Sequence, residues 1–258
     1  MLIEKLQPRN LDERRKLIIP GEAPITIIFC VEHFISLAKQ AIKDRGAFFV
    51  ALSGGSTPKA IFEHLSKPPY DKMVEWGKVH LFWSDERSVP QDHPESNYHM
   101  AMQSGLEKMP IPRDQIHRMR AEEKIEEGAA LYEQEILKAL GGRPFDLVML
   151  GMGEDGHTAS LFPHTEGLKV QNRQVIANYI PEKKTWRMTL TFECINQAEN
   201  IAIYVIGASK KAMLVKVLFS HYQFENYPIQ KVGTAIHPAL WIADEAAAEE
   251  IIARKERG

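Results

Sequence analysis

Only two of the 258 residues are cysteine, Cys30 and Cys194, each inside or beside an apolar run with no second thiol nearby. So little sulfur excludes a disulfide framework and reads as reduced core residues of a cytoplasmic protein. A basic excess is also lacking, since 32 Lys+Arg stand against 34 Asp+Glu, a formal charge of −2. No long-range field recruits nucleic acid or an anionic membrane, so any anionic ligand must be held by a local site. No apolar run is long enough to span a bilayer, and residues 1–20 carry Glu4, Lys5, Asp12, Glu13, Arg14, Arg15 and Lys16 where a secretory signal would be apolar. Internal repeats and low-complexity segments are absent too.

What remains is ordinary globular material, 44% hydrophobic and 26% charged, enough for one large core. Short β-branched or aromatic runs alternate with longer helical patterns, which implies βαβ units and a parallel sheet. Strands are expected at 25–29, 48–52, 80–83, 147–150 and 201–206, the interior ones buried on both faces. An apolar stripe at Phe34, Ile35, Ala38, Ala41 and Ile42 predicts a helix ending near Gly46. Ile125, Ala129, Tyr132, Ile136 and Leu140 recur at helical spacing and predict an amphipathic helix within 122–140. The prolines at 68–69 and 110–112 read as loop punctuation. The expected fold is α/β, a single-domain open, mostly parallel sheet flanked by helices over residues 21–258, with 1–20 as an N-terminal extension.

Four loops each follow a predicted strand. Ser53-Gly54-Gly55-Ser56-Thr57-Pro58 precedes a helical pattern; the glycines permit close backbone approach, Ser56 or Thr57 can cap the helix, and free amides at its start suit phosphate. No Gly-Lys-Ser/Thr follows, so this is not a Walker loop. Ser84-Asp85-Glu86-Arg87 offers carboxylates for sugar hydroxyls and a guanidinium for an anion, though alone it reads equally as a surface ion pair. Gly151-Met152-Gly153-Glu154-Asp155-Gly156-His157 spells Gly-x-Gly-x-x-Gly, but Pro163 comes too early for a long helix and no acid follows at ribose-binding spacing. Asp155 and His157 there suggest a poised base instead, since imidazole exchanges protons near neutrality. Gly207-Ala208-Ser209-Lys210-Lys211 places cations at a helix start, where they oppose the helix dipole and invite an anion. All four loops fall at the carboxyl ends of strands, the edge where open α/β sheets bind ligands.

By the order of these motifs from about residue 25 to 248, with Arg187-Met188-Thr189-Leu190-Thr191 and Ala243-Asp244 added, the sequence resembles the 6-phosphogluconolactonase/glucosamine-6-phosphate deaminase family. The run Asp155-Gly156-His157-Thr158-Ala159-Ser160-Leu161-Phe162-Pro163 is similar to the lactonase ending and lacks the deaminase's Asn-Glu-Pro. The resemblance implies hydrolysis of 6-phosphogluconolactone to 6-phosphogluconate in the oxidative pentose phosphate route. It implies that His157 activates water, that Asp155 orients it, and that Arg87, Lys210 and the Ser53–Thr57 loop hold the phosphate, with Arg187 as an extra anion contact. No cofactor, metal or nucleotide is implied, and the partner implied is the small sugar-phosphate lactone, with neither nucleic acid nor membrane. Lys211 is an alternative to Lys210, and Pro228-Ile229-Gln230 departs from the family's pattern near the last strand. Two other functions fit the same loops: a deaminase with Asp85 as proton-abstracting base, and a sugar-phosphate sensor without chemistry.

Overall fold

The computed structural model describes residues 1–255. Its framework is a seven-stranded sheet of β1 (Arg9–Asn10), β2 (Arg15–Ile18), β3 (Phe48–Leu52), β4 (Val79–Trp83), β6 (Leu147–Gly151), β9 (Ile201–Val205) and β10 (Ala239–Ala243), in the order β1-β2-β10-β9-β6-β3-β4. Every neighbouring pair is parallel except β1 with β2. Strands β3 and β9 are buried at all five positions, which is why Phe-Phe-Val-Ala-Leu and Ile-Ala-Ile-Tyr-Val read as continuous apolar runs. Strand order reverses between β3 and β6, so the loops after these two strands flank the crevice at which such sheets bind ligands.

Seven α-helices surround the strands: α1 (Ala23–Arg45), α2 (Ser56–Leu65), α3 (Asn97–Gln103), α4 (Ile125–Leu140), α5 (Phe192–Gln197), α6 (Lys211–Phe219) and α7 (Glu245–Lys255). The strand expected at 25–29 is instead the first part of α1. The β-branched run Ile25-Thr26-Ile27-Ile28 favours a strand locally. However, Pro24 sits in the first helical turn, and Ile27, Cys30, Val31, Phe34, Ile35, Ala38 and Ile42 continue one buried face at helical spacing. Packing of that face against β3, β10 and α2 overrides propensity. Gly46 ends the helix in the left-handed region at φ 83°, its N–H donating to the Ile42 carbonyl. By length and composition α1 is also long and apolar enough to cross a membrane, which corrects the expectation that no such run exists; 61% of its most apolar stretch is buried inside the protein. Cys30 and Cys194 are buried free thiols, and burial pushes both upward in pKa.

Several further elements escape the sequence reading, among them β10 of the parallel sheet. Immediately past Trp83 the chain leaves the parallel sheet, and β5 (Asp85–Arg87) joins β7 (Val175–Ile180) and β8 (Thr185–Leu190) in a separate antiparallel sheet ordered β5-β8-β7. Residues 1–20, expected as an extension of the domain, contribute β2, which pairs in parallel with β10 and buries Leu17 and Ile18 in the common core. If this segment is integral to the fold, Leu17→Ala should cost about 2–5 kcal/mol, the usual toll of a buried Leu→Ala cavity. Chemical denaturation checks this, and a loss below about 0.5 kcal/mol would mark the segment as appended.

Candidate active site

A cavity of about 260 Å³ opens at the carboxyl edge of the central sheet, lined by all four loops singled out above. From the first come Ser53, Gly54, Gly55, Ser56 and Thr57. Gly55, at φ 101°, is the N-cap of α2, and no side chain caps this helix. The expected capping by Ser56 or Thr57 therefore does not occur; both lie within the first turn, whose amides lack a side-chain acceptor. Such an end is ready for an anion. Gly54 meets a different constraint, since a Cβ there would lie 2.0 Å from Asn97 Oδ1.

Strand β5 sorts the second motif by its two-residue period. Asp85 and Arg87 line the cavity, whereas Glu86 does not and is buried. The Glu86 carboxylate accepts from the backbone N–H groups of Arg87, Asn97 and Tyr98 and from Ser96 Oγ, at 2.8 to 3.0 Å. It ties β5 to the start of α3 and has no capacity left for a sugar hydroxyl, which corrects its assignment as a ligand contact. Burial raises its pKa against those hydrogen bonds. Asp85 accepts from Ser160 Oγ at 2.6 Å and from Asn97 Nδ2 at 3.3 Å. Arg87 donates from Nη1 to the Glu95 carbonyl at 2.6 Å, while its buried Nε has no partner. Directly across the strand pair stands Arg187, whose buried Nε is likewise unpartnered. Arg187 is not among the residues lining the cavity, but burial and then the Arg87 charge lower its pKa. Two opposed guanidiniums repel, and among the described residues neither forms an ion pair.

The third loop carries Asp155 and His157. Gly153 N–H donates to the His157 carbonyl at 2.9 Å, and Gly156 N–H to the Gly153 carbonyl at 3.1 Å, with Gly156 at φ 80°. This tight fold brings His157 Nδ1 to 2.5 Å from Asp155 Oδ1, which also accepts the His157 backbone N–H at 3.0 Å. A carboxylate at Nδ1 selects the tautomer that leaves Nε2 free to take a proton. Burial would raise the Asp155 pKa, but the hydrogen bond and charge of His157 outweigh it and hold the carboxyl below its ordinary value. No helix follows Gly156 before residue 166, so a dinucleotide-type anion site is not formed.

The fourth loop resolves the adjacent lysines. Lys210 lines the cavity, whereas Lys211 Nζ reaches 2.8 Å from Glu249 Oε2 on α7. Ser209 does not cap α6, whose N-cap is Lys210 with no side-chain bond. Asp244, quoted above only as part of a motif, accepts the Gly207 N–H at 3.0 Å and thereby fixes this loop.

Residues that sequence reasoning did not assign to the site hold these loops in place. Asn97 donates to the Asp85 carbonyl and packs closely against Gly54, and Ser160 bridges Asp85 to the second sheet through Asn178 and Thr189. The only sequence signal was the polar Ser96-Asn97 pair and the position of Ser160 in the long motif. The divergent Pro228–Gln230 segment backs the Gly156 turn and does not line the cavity: Ile229 N–H donates to the Gly156 carbonyl at 3.0 Å. Arg14 in turn donates to the Gln230 and Gly233 carbonyls at 3.1 and 2.9 Å. Among the described residues no group of three or more His, Cys, Asp or Glu is placed to hold a metal ion.

Two substitutions test this architecture. A Cβ on Gly153 would fall 2.1 Å from His157 Nδ1 and 2.5 Å from Asp155 Oδ1, so Gly153→Ala should displace the dyad and lower kcat about 100-fold while the melting temperature changes little. Glu86→Ala should act on stability instead, costing about 2–3 kcal/mol by stranding buried donors, as read from denaturant unfolding.

Comparison with known proteins identifies the family. The family described as glucosamine-6-phosphate isomerases/6-phosphogluconolactonase matches residues 26–241. A 6-phosphogluconolactonase of Chlamydia pneumoniae is 42% identical over 234 residues, 90% of this chain and 89% of that protein. One from Nostoc is 39% identical over 220 residues, covering 82% and 88%. Among solved structures, 6-phosphogluconolactonase from Trypanosoma cruzi superposes with a TM-score of 0.81 at 27% identity, covering 93% of this chain and 98% of that one. With that extent of match, the chain belongs to the glucosamine-6-phosphate isomerase/6-phosphogluconolactonase family.

Proposed function

We propose that this chain hydrolyses 6-phosphogluconolactone to 6-phosphogluconate, the lactone-opening step of the oxidative pentose phosphate route, with His157 as general base. The observation that carries this reading is the His157–Asp155 contact in a cavity that also holds Arg87 and Lys210. The relatives' printed names support the substrate. In the first step His157 Nε2 takes a proton from water as the water oxygen bonds to the lactone carbonyl carbon. The resulting imidazolium is stabilised by the Asp155 carboxylate. In the second step the bond from that carbon to the ring oxygen breaks, and the imidazolium returns its proton to the departing oxygen. Arg87, Lys210 and the amides and hydroxyls of the 53–57 loop hold the phosphate, and their positive field offsets the developing oxyanion. Arg187, opposite Arg87, adds to that field.

Asp85 is a poor candidate for a deaminase base, because both its oxygens accept hydrogen bonds from Ser160 and Asn97. His157 has no such engagement at Nε2. The buried free thiols fit the reducing cytoplasm in which we place this reaction.

The test generates the lactone in situ with glucose-6-phosphate dehydrogenase and follows its disappearance against the spontaneous rate. Wild type should accelerate it, and His157→Ala should lower kcat about 10²–10⁴-fold with little change in KM. Arg87→Ala and Lys210→Ala should chiefly raise KM. A wild-type rate equal to the blank would overturn the proposal; ammonia release from glucosamine 6-phosphate would then indicate a deaminase, and binding without turnover a sensor.

A further inference from the structure

The Asp155 hydrogen bond fixes one vertex of the His157 ring but not its plane, because the imidazole can still pivot about that contact. A second group supplies the missing constraint. Phe162, five residues further along the same loop, stacks on the imidazole with ring centroids 3.9 Å apart and planes 16° from parallel. Its own ring is buried, so it is not a loose neighbour. The Phe162 carbonyl accepts from Thr165 Oγ1 at 2.8 Å, and Thr165 Oγ1 accepts from Asn178 Nδ2 of β7 at 3.0 Å. The backbone that carries this buried ring is thereby tied to the antiparallel sheet rather than to the glycine-rich turn that carries His157. Lys183 Nζ, from the β7–β8 turn, stands 5.6 Å from the same ring centroid.

We infer that Phe162 is a positioning residue for the base: its face sets the plane of the His157 ring and so aims Nε2 at the water. The face of an aromatic ring also attracts a cation, so the stack favours the imidazolium that forms as the proton is taken. This inference rests on His157 acting as the base. Two features give it a signature distinct from ordinary core packing. The stacked contact needs a flat face, and its benefit falls on turnover rather than on substrate binding.

The experiment compares Phe162→Leu, Phe162→Met and Phe162→Tyr with wild type and His157→Ala, measuring kcat, KM, melting temperature and the NMR signals of the His157 ring. Leu and Met fill the space without a flat face, and each should lower kcat about 10- to 100-fold with KM within about twofold, as expected for a mis-aimed group. Tyr keeps the face and should restore kcat to within about threefold of wild type. The upfield ring-current shift of the His157 Hε1 proton should persist in the Tyr variant and vanish in the Met variant. If Leu fails to fold, Met carries the test. Full kcat in a folded Met variant, or equal losses in Met and Tyr, would overturn the inference. His157→Ala separates the two levels: full turnover there removes the base itself, whereas loss there with full activity in the Met variant removes only the role of Phe162.

Discussion

Burial of the parallel strands on both faces is the constraint on which the remaining architecture depends. Strands β3 and β9 expose none of their side chains, and β6 opens only at Gly151, where the strand ends. Backbone groups within such a layer are consumed by the ladder, and the side chains are consumed by packing. Polar chemistry is therefore displaced to the loops that leave the carboxyl ends. Because the strands are parallel, those loops come together at one edge, and the reversal of strand order between β3 and β6 leaves a crevice among them.

Loops gathered in this way are not yet a site, since each is long enough to move. Their definition comes from a second tier of polar groups that never enters the cavity. Glu86 binds the start of α3 to β5, Asp244 holds the Gly207 turn, and Asn178 with Thr189 fixes Ser160. Each is buried, so its hydrogen bonds do not compete with water and set one geometry. The departure of the chain from the parallel sheet after Trp83 makes much of this possible, because it turns a strand end into the edge of a second sheet whose Asn178 and Thr189 hold Ser160.

How much of this was legible in the sequence follows from the same division. Strands β3, β4, β6 and β9 announce themselves as apolar runs and the helix at 125–140 through periodicity, whereas interior β10 was not expected, and the four loops are marked by glycine, charge and position. The helix start at 25–29 was misread because β-branched side chains express a local preference that only the packed face of α1 overrules. Short β2 and the β7–β8 hairpin lack a decisive pattern of their own and exist through pairing with distant partners. Within the site, residue types pointed to Asp155, His157, Arg87 and Lys210, yet they did not separate Glu86 from its neighbours. That distinction depends on which side of a three-residue strand faces the cavity, and it is set by partners ten to twelve residues away.

The two hydrogen bonds from Arg14 give the beginning of the chain a mechanical standing that its distance in sequence conceals. Arg14 grips the turn whose Ile229 amide braces Gly156, one residue before His157. The path from the first strands to the imidazole is thus a short series of rigid links rather than a diffuse influence. Whatever loosens the amino-terminal strand therefore slackens the backing of the Gly156 turn together with the part of the core that Leu17 and Ile18 fill.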